Sequence, residues 1–120
     1  MPTRGKIAKA RRIQNEQQMA ITIAKLLKDA TGKGPKNIKA KILEDIVEIS
    51  IEGFLTELEQ FLLADLNNRV LIEQIRDRIM GKIDRRIEEE LSKITEAELQ
   101  ILHVHKDLLQ DYCRITLIIT

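Results

Sequence analysis

The sequence is poor in the residues that cross-link, stack or kink a chain. Its 120 residues include one cysteine, two prolines, no tryptophan and only 2% aromatic residues. A single cysteine allows no internal disulfide and, without a signal-like segment, predicts a cytoplasmic protein. Scarce aromatic rings argue against the stacking platforms that bind single-stranded nucleic acids. No apolar run approaches the ~18 residues that cross a bilayer, which predicts a soluble chain without a transmembrane segment.

Charge is distributed unevenly along the chain, although the net charge is only +1. Five of the 20 basic residues precede the first acid, Glu16, which leaves 15 bases against 19 acids in the remainder. We predict a basic N-terminal arm over residues 1–19, which includes the start of the first helix, and a single α+β domain over residues 20–120. The arm predicts binding to the phosphates of a nucleic acid or an anionic membrane. Its basic residues are Arg4, Lys6, Lys9, Arg11 and Arg12.

The first helix and its end are marked by proline and glycine. Residues 6–29 contain neither, which predicts a helix, and its apolar stripe comprises Ile13, Ile23, Leu26, Leu27 and Ala30. Gly32 or Gly34 in a left-handed conformation would end this helix, and Pro35 would prevent it from resuming.

The segment GKGPKNI, residues 32–38, raises the question of a phosphate-binding loop. Such loops lead from a strand into a helix and end in Gly-Lys-Ser/Thr, whereas this segment leads from a helix into a strand. We therefore interpret it as a structural turn. Anion binding with the help of Lys33 and Lys36 is the alternative.

Residues 38–51 alternate between apolar and polar with a period of two on both sides of Glu44 and Asp45, which predicts a β-hairpin. Glu-Asp is not a preferred two-residue turn, so a loop longer by one or two residues is the alternative. The two-residue loop pairs Leu43 with Ile46, Ile42 with Val47, Lys41 with Glu48, Ala40 with Ile49, and Ile38 with Ile51.

The rest of the chain predicts two helices and two strands. Thr56 and Glu59 have the spacing of a capping box at the start of a helix that carries Leu58, Phe61 and Leu62. Asn67 and Asn68 mark a break before one long amphipathic helix over residues 69–93. The segments ELQILHVH and YCRITLIIT then predict two strands joined by about six residues. For the first of them, the sequence does not decide which face points inward. The stripe of the long helix is Ile72, Ile75, Ile79, Ile83, Ile87, Leu91 and Ile94.

Together these elements predict an α+β fold. A hairpin and a second strand pair form a four-stranded antiparallel sheet, and the isoleucine stripe of the long helix covers one face. That helix would span about 39 Å against about 27 Å for an eight-residue strand, so it would overhang the sheet. We expect a homodimer to cover the overhang, or else a bend at Gly81. The side chains that need cover are Leu91, Ile94, Ile23, Leu26 and Leu27.

Few residues suggest catalysis, and the sequence predicts no catalytic residue and no cofactor. His103 and His105 are spaced to lie on one face of a strand, where Cys113 or Asp107 would complete a metal site. The alternative is two partly exposed histidines and a buried, inert cysteine. Glu57 and Glu59 are explained by the helix dipole and the cap.

The run from GKGP through the hairpin to Gly53 resembles the MpsC-like family of small bacterial domains. Leu55, Thr56 and Glu59, the arginine-containing amphipathic helix and the closing strand pair extend the resemblance over roughly residues 20–120. The family takes its name from a component of a membrane-potential-generating system. The resemblance implies a protein partner of a cation-translocating, bicarbonate-linked membrane complex. The residues that carry it are the turn of Gly32, Gly34 and Pro35 and the cap of Leu55, Thr56 and Glu59.

The sequence therefore supports three expectations for function, in decreasing order of support. The first is a non-enzymatic interaction or regulatory protein, which self-associates. The alternative is a binder of nucleic acid or anionic membrane that uses the basic arm, and the third is a metal-dependent enzyme.

Overall fold

The computed structural model describes the backbone of residues 8–120 and the side chains from residue 10 onward. The described chain has an α+β fold, as the sequence predicts. Its elements in order are α1 (Ala8–Thr31), β1 (Asn37–Leu43), β2 (Ile46–Glu52), α2 (Glu57–Leu63), a 3₁₀ helix (Leu66–Asn68), α3 (Arg69–Thr95), β3 (Leu99–Asp107) and β4 (Tyr112–Ile119).

The four strands form one antiparallel sheet in the order β1-β2-β4-β3. The β1–β2 register confirms all five predicted pairs, including Lys41 with Glu48. The loop between them is the two-residue version, and Glu44 takes a φ of 55° to close it. The predicted alternative of a longer loop is wrong, because a left-handed residue supplies the twist that a short hairpin turn needs.

Two helices, and not α3 alone, cover the apolar face of the sheet. α1 packs against β1 while α3 packs against β3, and the two helices pack against each other. They run antiparallel: Arg11 lies 3.2 Å from Glu96, whereas Leu27 lines a small cavity with Ile79. The sheet contributes the centre of the core through Val47, Ile49, Ile51, Cys113, Ile115 and Leu117.

The predicted apolar stripes need correction at three positions. Ile75 is exposed, and the buried side of α3 passes through Arg76 in its place. In α1, Ile13 and Ala30 are exposed as well, while Met19 is fully buried. The helical period is right in each case, but the buried face is rotated from the one that apolar residues alone suggest.

The predicted need for a second chain at Leu91 and Ile94 is also wrong. Leu91 is fully buried and Ile94 packs against the core, because α1 lies over this end of α3. The α1 residues that needed cover, Ile23, Leu26 and Leu27, are buried in the same contact. α3 continues unbroken through Gly81. At the other end of α3, Ile72 and Arg76 are buried, whereas Val70, Leu71 and Ile75 are exposed.

A β-bulge settles the face of β3 that the sequence leaves open. The register with β4 shifts between Ile101 and His103. The extra residue reverses the alternation, so that Leu99, Ile101 and Val104 all pack toward the core while Leu102 and the histidines are exposed. The loop to β4 contains four residues, 108–111, and not about six.

Side chains of the two long helices cap amides at both outer strands of the sheet. In β1, the Ile42 N–H donates to a Glu16 carboxylate oxygen at 2.7 Å. In β3, the Leu99 N–H donates to Ser92 Oγ at 3.0 Å and the Ile101 N–H donates to Glu88 Oε2 at 2.8 Å. Both edges of the sheet are therefore tied to helices through hydrogen bonds as well as apolar contacts.

Candidate interaction surface

The segment between β2 and α2 is fixed by the loop that joins β3 to β4. The Gly53 N–H donates to the Asp111 carbonyl at 2.9 Å, and the Leu55 N–H donates to Asp111 Oδ1 at 2.8 Å. Gln60 Nε2 donates to the other carboxylate oxygen at 3.1 Å. Asp111 therefore accepts three hydrogen bonds that hold the start of α2 in place. It follows the three donor residues by 51 to 58 positions in the sequence.

The predicted capping box at the start of α2 is present. The Glu59 N–H donates to Thr56 Oγ1 at 3.3 Å, and the Thr56 N–H donates to Glu59 Oε1 at 2.9 Å. Leu55, just before the cap, is buried in the core. The cap therefore satisfies two amides that the helix itself cannot pair.

Glu59 has a second role that the sequence interpretation missed. Its carboxylate forms a two-point ion pair with Arg76 of α3, with Arg76 Nε 2.8 Å from Glu59 Oε2. Arg76 Nη2 also donates to the Phe54 carbonyl at 2.8 Å, and the guanidinium lies 4.9 Å from the centre of the Phe54 ring. Glu59 and Arg76 are only 5% and 2% exposed, which makes them the buried charged residues of the described chain.

The buried charges of Glu59 and Arg76 compensate each other, and both side chains form further hydrogen bonds. Burial raises the pKa of the Glu59 carboxyl, but hydrogen bonds from Arg76 and Thr56 and the positive charge of Arg76 outweigh it, so the net pKa is lowered. No buried side-chain nitrogen or oxygen in the described residues lacks a hydrogen-bond partner. The sequence does contain a signal for this ion pair. Arg76 follows Ile72 by four residues, so the two lie on the same side of α3, which faces the core.

The outer side of this junction carries a group of exposed apolar side chains. They belong to α2, the 3₁₀ helix and the first two turns of α3, which pack against one another. We call this the α2–α3 surface. Its members are between 36% and 77% exposed, and they are Leu58, Phe61, Leu66, Val70, Leu71 and Ile75.

Charges of both signs border the α2–α3 surface. Glu57 and Asp65 are exposed on α2 and on the connection that follows it. Arg78 and Lys82 are exposed on α3 beyond Ile75, toward the middle of the helix. None of these four takes part in an ion pair among the described residues. Arg69, Glu73 and Asp77 add further charges of both signs on the same turns of α3, so the border of the surface is mixed in charge.

The GKGPKNI segment takes the form of the predicted turn. Gly32 has a φ of 82°, and its N–H donates to the Lys28 carbonyl at 2.8 Å, which ends α1. Gly34 has no positive φ, so only one of the two glycines takes the left-handed conformation. Pro35 is partly buried in the turn that follows. Lys33 Nζ donates to the Leu55 carbonyl at 2.8 Å, which ties the turn to the α2 junction.

The candidate metal ligands lie on opposite faces of the sheet. His103 and His105 are exposed on the outer face, whereas Cys113 is buried on the core side. Burial raises the pKa of the Cys113 thiol to about 11, so it stays protonated at neutral pH. Within residues 8–120 no group of three His, Cys, Asp or Glu side chains is arranged to hold a metal ion. The structure therefore does not bring Cys113 to the histidine pair.

The structure describes only part of the predicted basic arm. Arg4 and Lys6 lie outside the described residues, as does the side chain of Lys9. Arg11 pairs with Glu96, and Arg12 is partly exposed. Binding of nucleic acid or membrane by this arm remains a prediction.

Comparison with known families gives a match over nearly the whole described chain. The family model described as "Na+-translocating membrane potential-generating system (MpsC)" matches residues 11–120. The chain belongs to the MpsC family. The resemblance seen in the sequence is thereby confirmed, and the MpsC match includes the junction at Glu59 and the α2–α3 surface.

Two other comparisons with known proteins give no match. Neither the curated proteins nor the solved structures give a match to this MpsC-family chain. In residues 8–120, every helix is too short or too polar to cross a membrane.

Proposed function

We propose that this chain is a non-enzymatic interaction protein that serves a Na+-translocating membrane system from the cytoplasm. The observation that carries the proposal is the α2–α3 surface, which leaves six apolar side chains exposed on a rigid base. The family description supplies the membrane system. The homodimer predicted from the sequence stays a prediction, on which this proposal does not depend.

The size of the surface supports a role in binding. At roughly 150–200 Å² for a fully exposed aliphatic or aromatic residue, the six side chains expose about 600 Å². The largest apolar patch of a typical monomer is about 300–600 Å², and patches of that size are often functional. The α2–α3 surface is at the upper end of this range, which supports a role in binding.

The base of the surface is ordered before any partner arrives. The ion pair of Glu59 with Arg76 joins α2 to α3, and Asp111 holds the start of α2. A rigid surface loses little conformational entropy on binding, which favours affinity.

The charges around the surface favour a protein partner over an anionic bilayer. Helices that lie on membranes carry mainly Lys and Arg on the polar side. Here Glu57 and Asp65 are exposed beside the apolar residues and would be repelled by anionic lipid. A protein surface of mixed charge can complement both signs.

The proposal is tested by complementation in cells that lack the gene. Membrane potential is measured with a potential-sensitive dye in sodium-containing medium, after expression of the wild-type chain, Phe61→Ser or Ile21→Ser. Phe61 is 77% exposed on the α2–α3 surface, whereas Ile21 is 63% exposed on α1 and serves as the matched control. We expect wild type and Ile21→Ser to restore the potential and Phe61→Ser to fail at equal expression.

Either of two results would contradict the proposal. Full restoration by Phe61→Ser would exclude the α2–α3 surface as the contact. An unchanged membrane potential in cells without the gene would exclude service to the membrane system.

A further inference from the structure

His103 and His105 lie side by side on the outer face of β3, away from α1 and α3. The β-bulge precedes this pair, and from His103 onward the strand is regular, since His103 pairs with Thr116 and His105 pairs with Arg114. Residues two apart on a regular strand lie on the same face, with about 6.7 Å between their Cα atoms. Both side chains are exposed, so the two imidazole rings are neighbours on an accessible surface.

Both imidazole rings are available to a ligand. Within residues 8–120, neither ring takes part in a hydrogen bond, an ion pair or a ring contact. A neutral imidazole carries a lone pair on one ring nitrogen, which binds a metal ion when no protein donor occupies it. The pair therefore has two nitrogen ligands that the fold itself does not use.

The cations next to the histidine pair are directed away from it. Arg114 Nε donates to the Tyr112 hydroxyl at 3.1 Å, and the guanidinium lies 5.8 Å from the centre of the Tyr112 ring. Tyr112 is the register partner of Asp107, so the guanidinium points toward the end of the sheet beyond His105 and not toward His103. Lys106 lies on the core side of β3, where it pairs with Asp77.

The remaining charges on this face lie further from the pair and have both signs. Glu48 is the register partner of Thr116, which places it two strands away from His103, and Lys41 follows one strand beyond Glu48. Asp107 lies on the same face two residues after His105. The carboxylate of Glu48 is thus nearer to the pair than the ammonium of Lys41, an order that favours a bound cation.

We propose that His103 and His105 together bind one divalent transition-metal ion of the class that prefers imidazole, such as Ni²⁺ or Zn²⁺. Metal–nitrogen distances of about 2.0–2.1 Å allow two imidazoles with this spacing to reach the same ion. Water completes the coordination, because no further His, Cys, Asp or Glu of the described residues forms a group of three with them. The site is open on the solvent side, and it excludes Mg²⁺ and Ca²⁺, which prefer oxygen ligands.

The first test is calorimetric titration of the chain, prepared without a polyhistidine tag, with Ni²⁺. These two are the only histidines of the chain, and Cys113 is buried, so we expect one Ni²⁺ per chain. His103→Ala and His105→Ala should each lower the affinity by at least about tenfold, because even the loss of an outer partner of a metal ligand costs about 10–100-fold. Mg²⁺ in excess should not compete.

A spacing variant separates a shared ion from two independent histidines. His105→Ala with Asp107→His keeps two histidines on the same face but places them four residues apart, at about 13 Å along the strand. This variant should bind Ni²⁺ no better than His105→Ala alone, with an unchanged circular dichroism spectrum. Affinity equal to that of the wild type would show that the histidines act singly and would overturn the shared site.

The imidazole signals in a nuclear magnetic resonance spectrum give a second readout. Titration with Zn²⁺ should shift the ring signals of both histidines together and to the same end point. No binding at millimolar Ni²⁺, or binding that is unchanged in both single variants, would overturn the inference. The proposed function does not depend on this result, since the complementation experiment tests a surface on α2 and α3.

Discussion

The two ends of α3 have similar apolar spacing but opposite surroundings. At the C-terminal end, Ile87 and Leu91 are completely buried beneath α1 and against the sheet. At the N-terminal end, Val70, Leu71 and Ile75 are exposed. The difference arises because these three side chains lie off the buried side of α3, which at this end passes through Ile72 and Arg76.

The comparison shows that the helical spacing of apolar residues identifies the apolar face of a helix but not the element that covers this face. At the covered end the cover is apolar and comes from α1. At the open end the inward side of α3 is held by Ile72 and by a charged pair between Arg76 and Glu59, while the outward side exposes apolar side chains. The helix thus buries apolar residues along its inward side and exposes further apolar residues on the outward side of its first turns.

The largest effect should come from removing the Glu59–Arg76 ion pair, which joins α2 to the N-terminal half of α3. Glu59→Ala removes one partner of a buried ion pair and leaves the Arg76 charge uncompensated, which typically costs about 3–5 kcal/mol. We expect the free energy of unfolding, measured by urea titration, to fall by about that amount. The control is Glu57→Ala, an exposed acid in the same helix, which should change it by less than about 0.5 kcal/mol. Equal losses in the two variants would show that the pair does not anchor α2.

The covered and open ends can be compared directly with one substitution type. Ile87→Ala should reduce the free energy of unfolding by about 3 kcal/mol, because it creates a cavity at a completely buried position. Leu71→Ala should reduce it by about 0.5 kcal/mol or less, because this side chain is already half exposed. A large loss at Leu71 in the monomer would mean that the open end is packed against the chain itself.

The hairpin and the caps were predictable because their signals are local. The alternation around Glu44 and Asp45 fixes the register of β1 with β2, since a slip of one residue would turn every apolar side chain outward. Thr56 and Glu59 lie three residues apart, and Gly32 directly follows α1. Each of these features depends on residues within one turn or one hairpin.

The features that were not predictable depend on contacts between distant segments. The partner of Glu59 is 17 residues away, and burial of Leu91 depends on the placement of α1. In β3 an extra residue at the bulge makes the inward face change partway along the strand. The candidate surface was missed because adjacent apolar residues such as Leu71 and Ile72 do not show by themselves which one faces the core.

A substitution of Gly32 tests whether this glycine sets the position at which α1 ends. Gly32 has a φ of 82°, so Gly32→Val should reduce the free energy of unfolding by about 1–2 kcal/mol through a strained left-handed conformation. Gly34→Val is the matched control, since Gly34 has no positive φ and an added Cβ meets nothing within 4 Å. Thermal or urea unfolding of both variants would measure the difference. Similar losses in both would argue against Gly32 as the specific stop signal of the covering helix.

The smallest expected effect is a gain of stability at the centre of α3, between the two ends. Gly81 is exposed in the helix interior and an added Cβ would meet nothing within 4 Å, so Gly81→Ala should raise the free energy of unfolding by about 1 kcal/mol. Gly53→Ala should lower it, because Gly53 has a φ of 69° and the new Cβ would lie 2.5 Å from the Lys36 side chain. Urea titration measures both. A loss of stability in Gly81→Ala would indicate that this part of α3 is in contact with another chain.

The amide caps at the two outer strands also limit how the chain can polymerise. A strand from another molecule that approaches β1 finds the Ile42 N–H already bound to Glu16, and one that approaches β3 finds the Ile101 N–H bound to Glu88. Exposed edge strands that lack such protection are the usual starting points of fibrils. A strand that adds to either edge would therefore have to displace a helix side chain, at one amide of β1 and at two amides of β3, which hinders the growth of ordered aggregates.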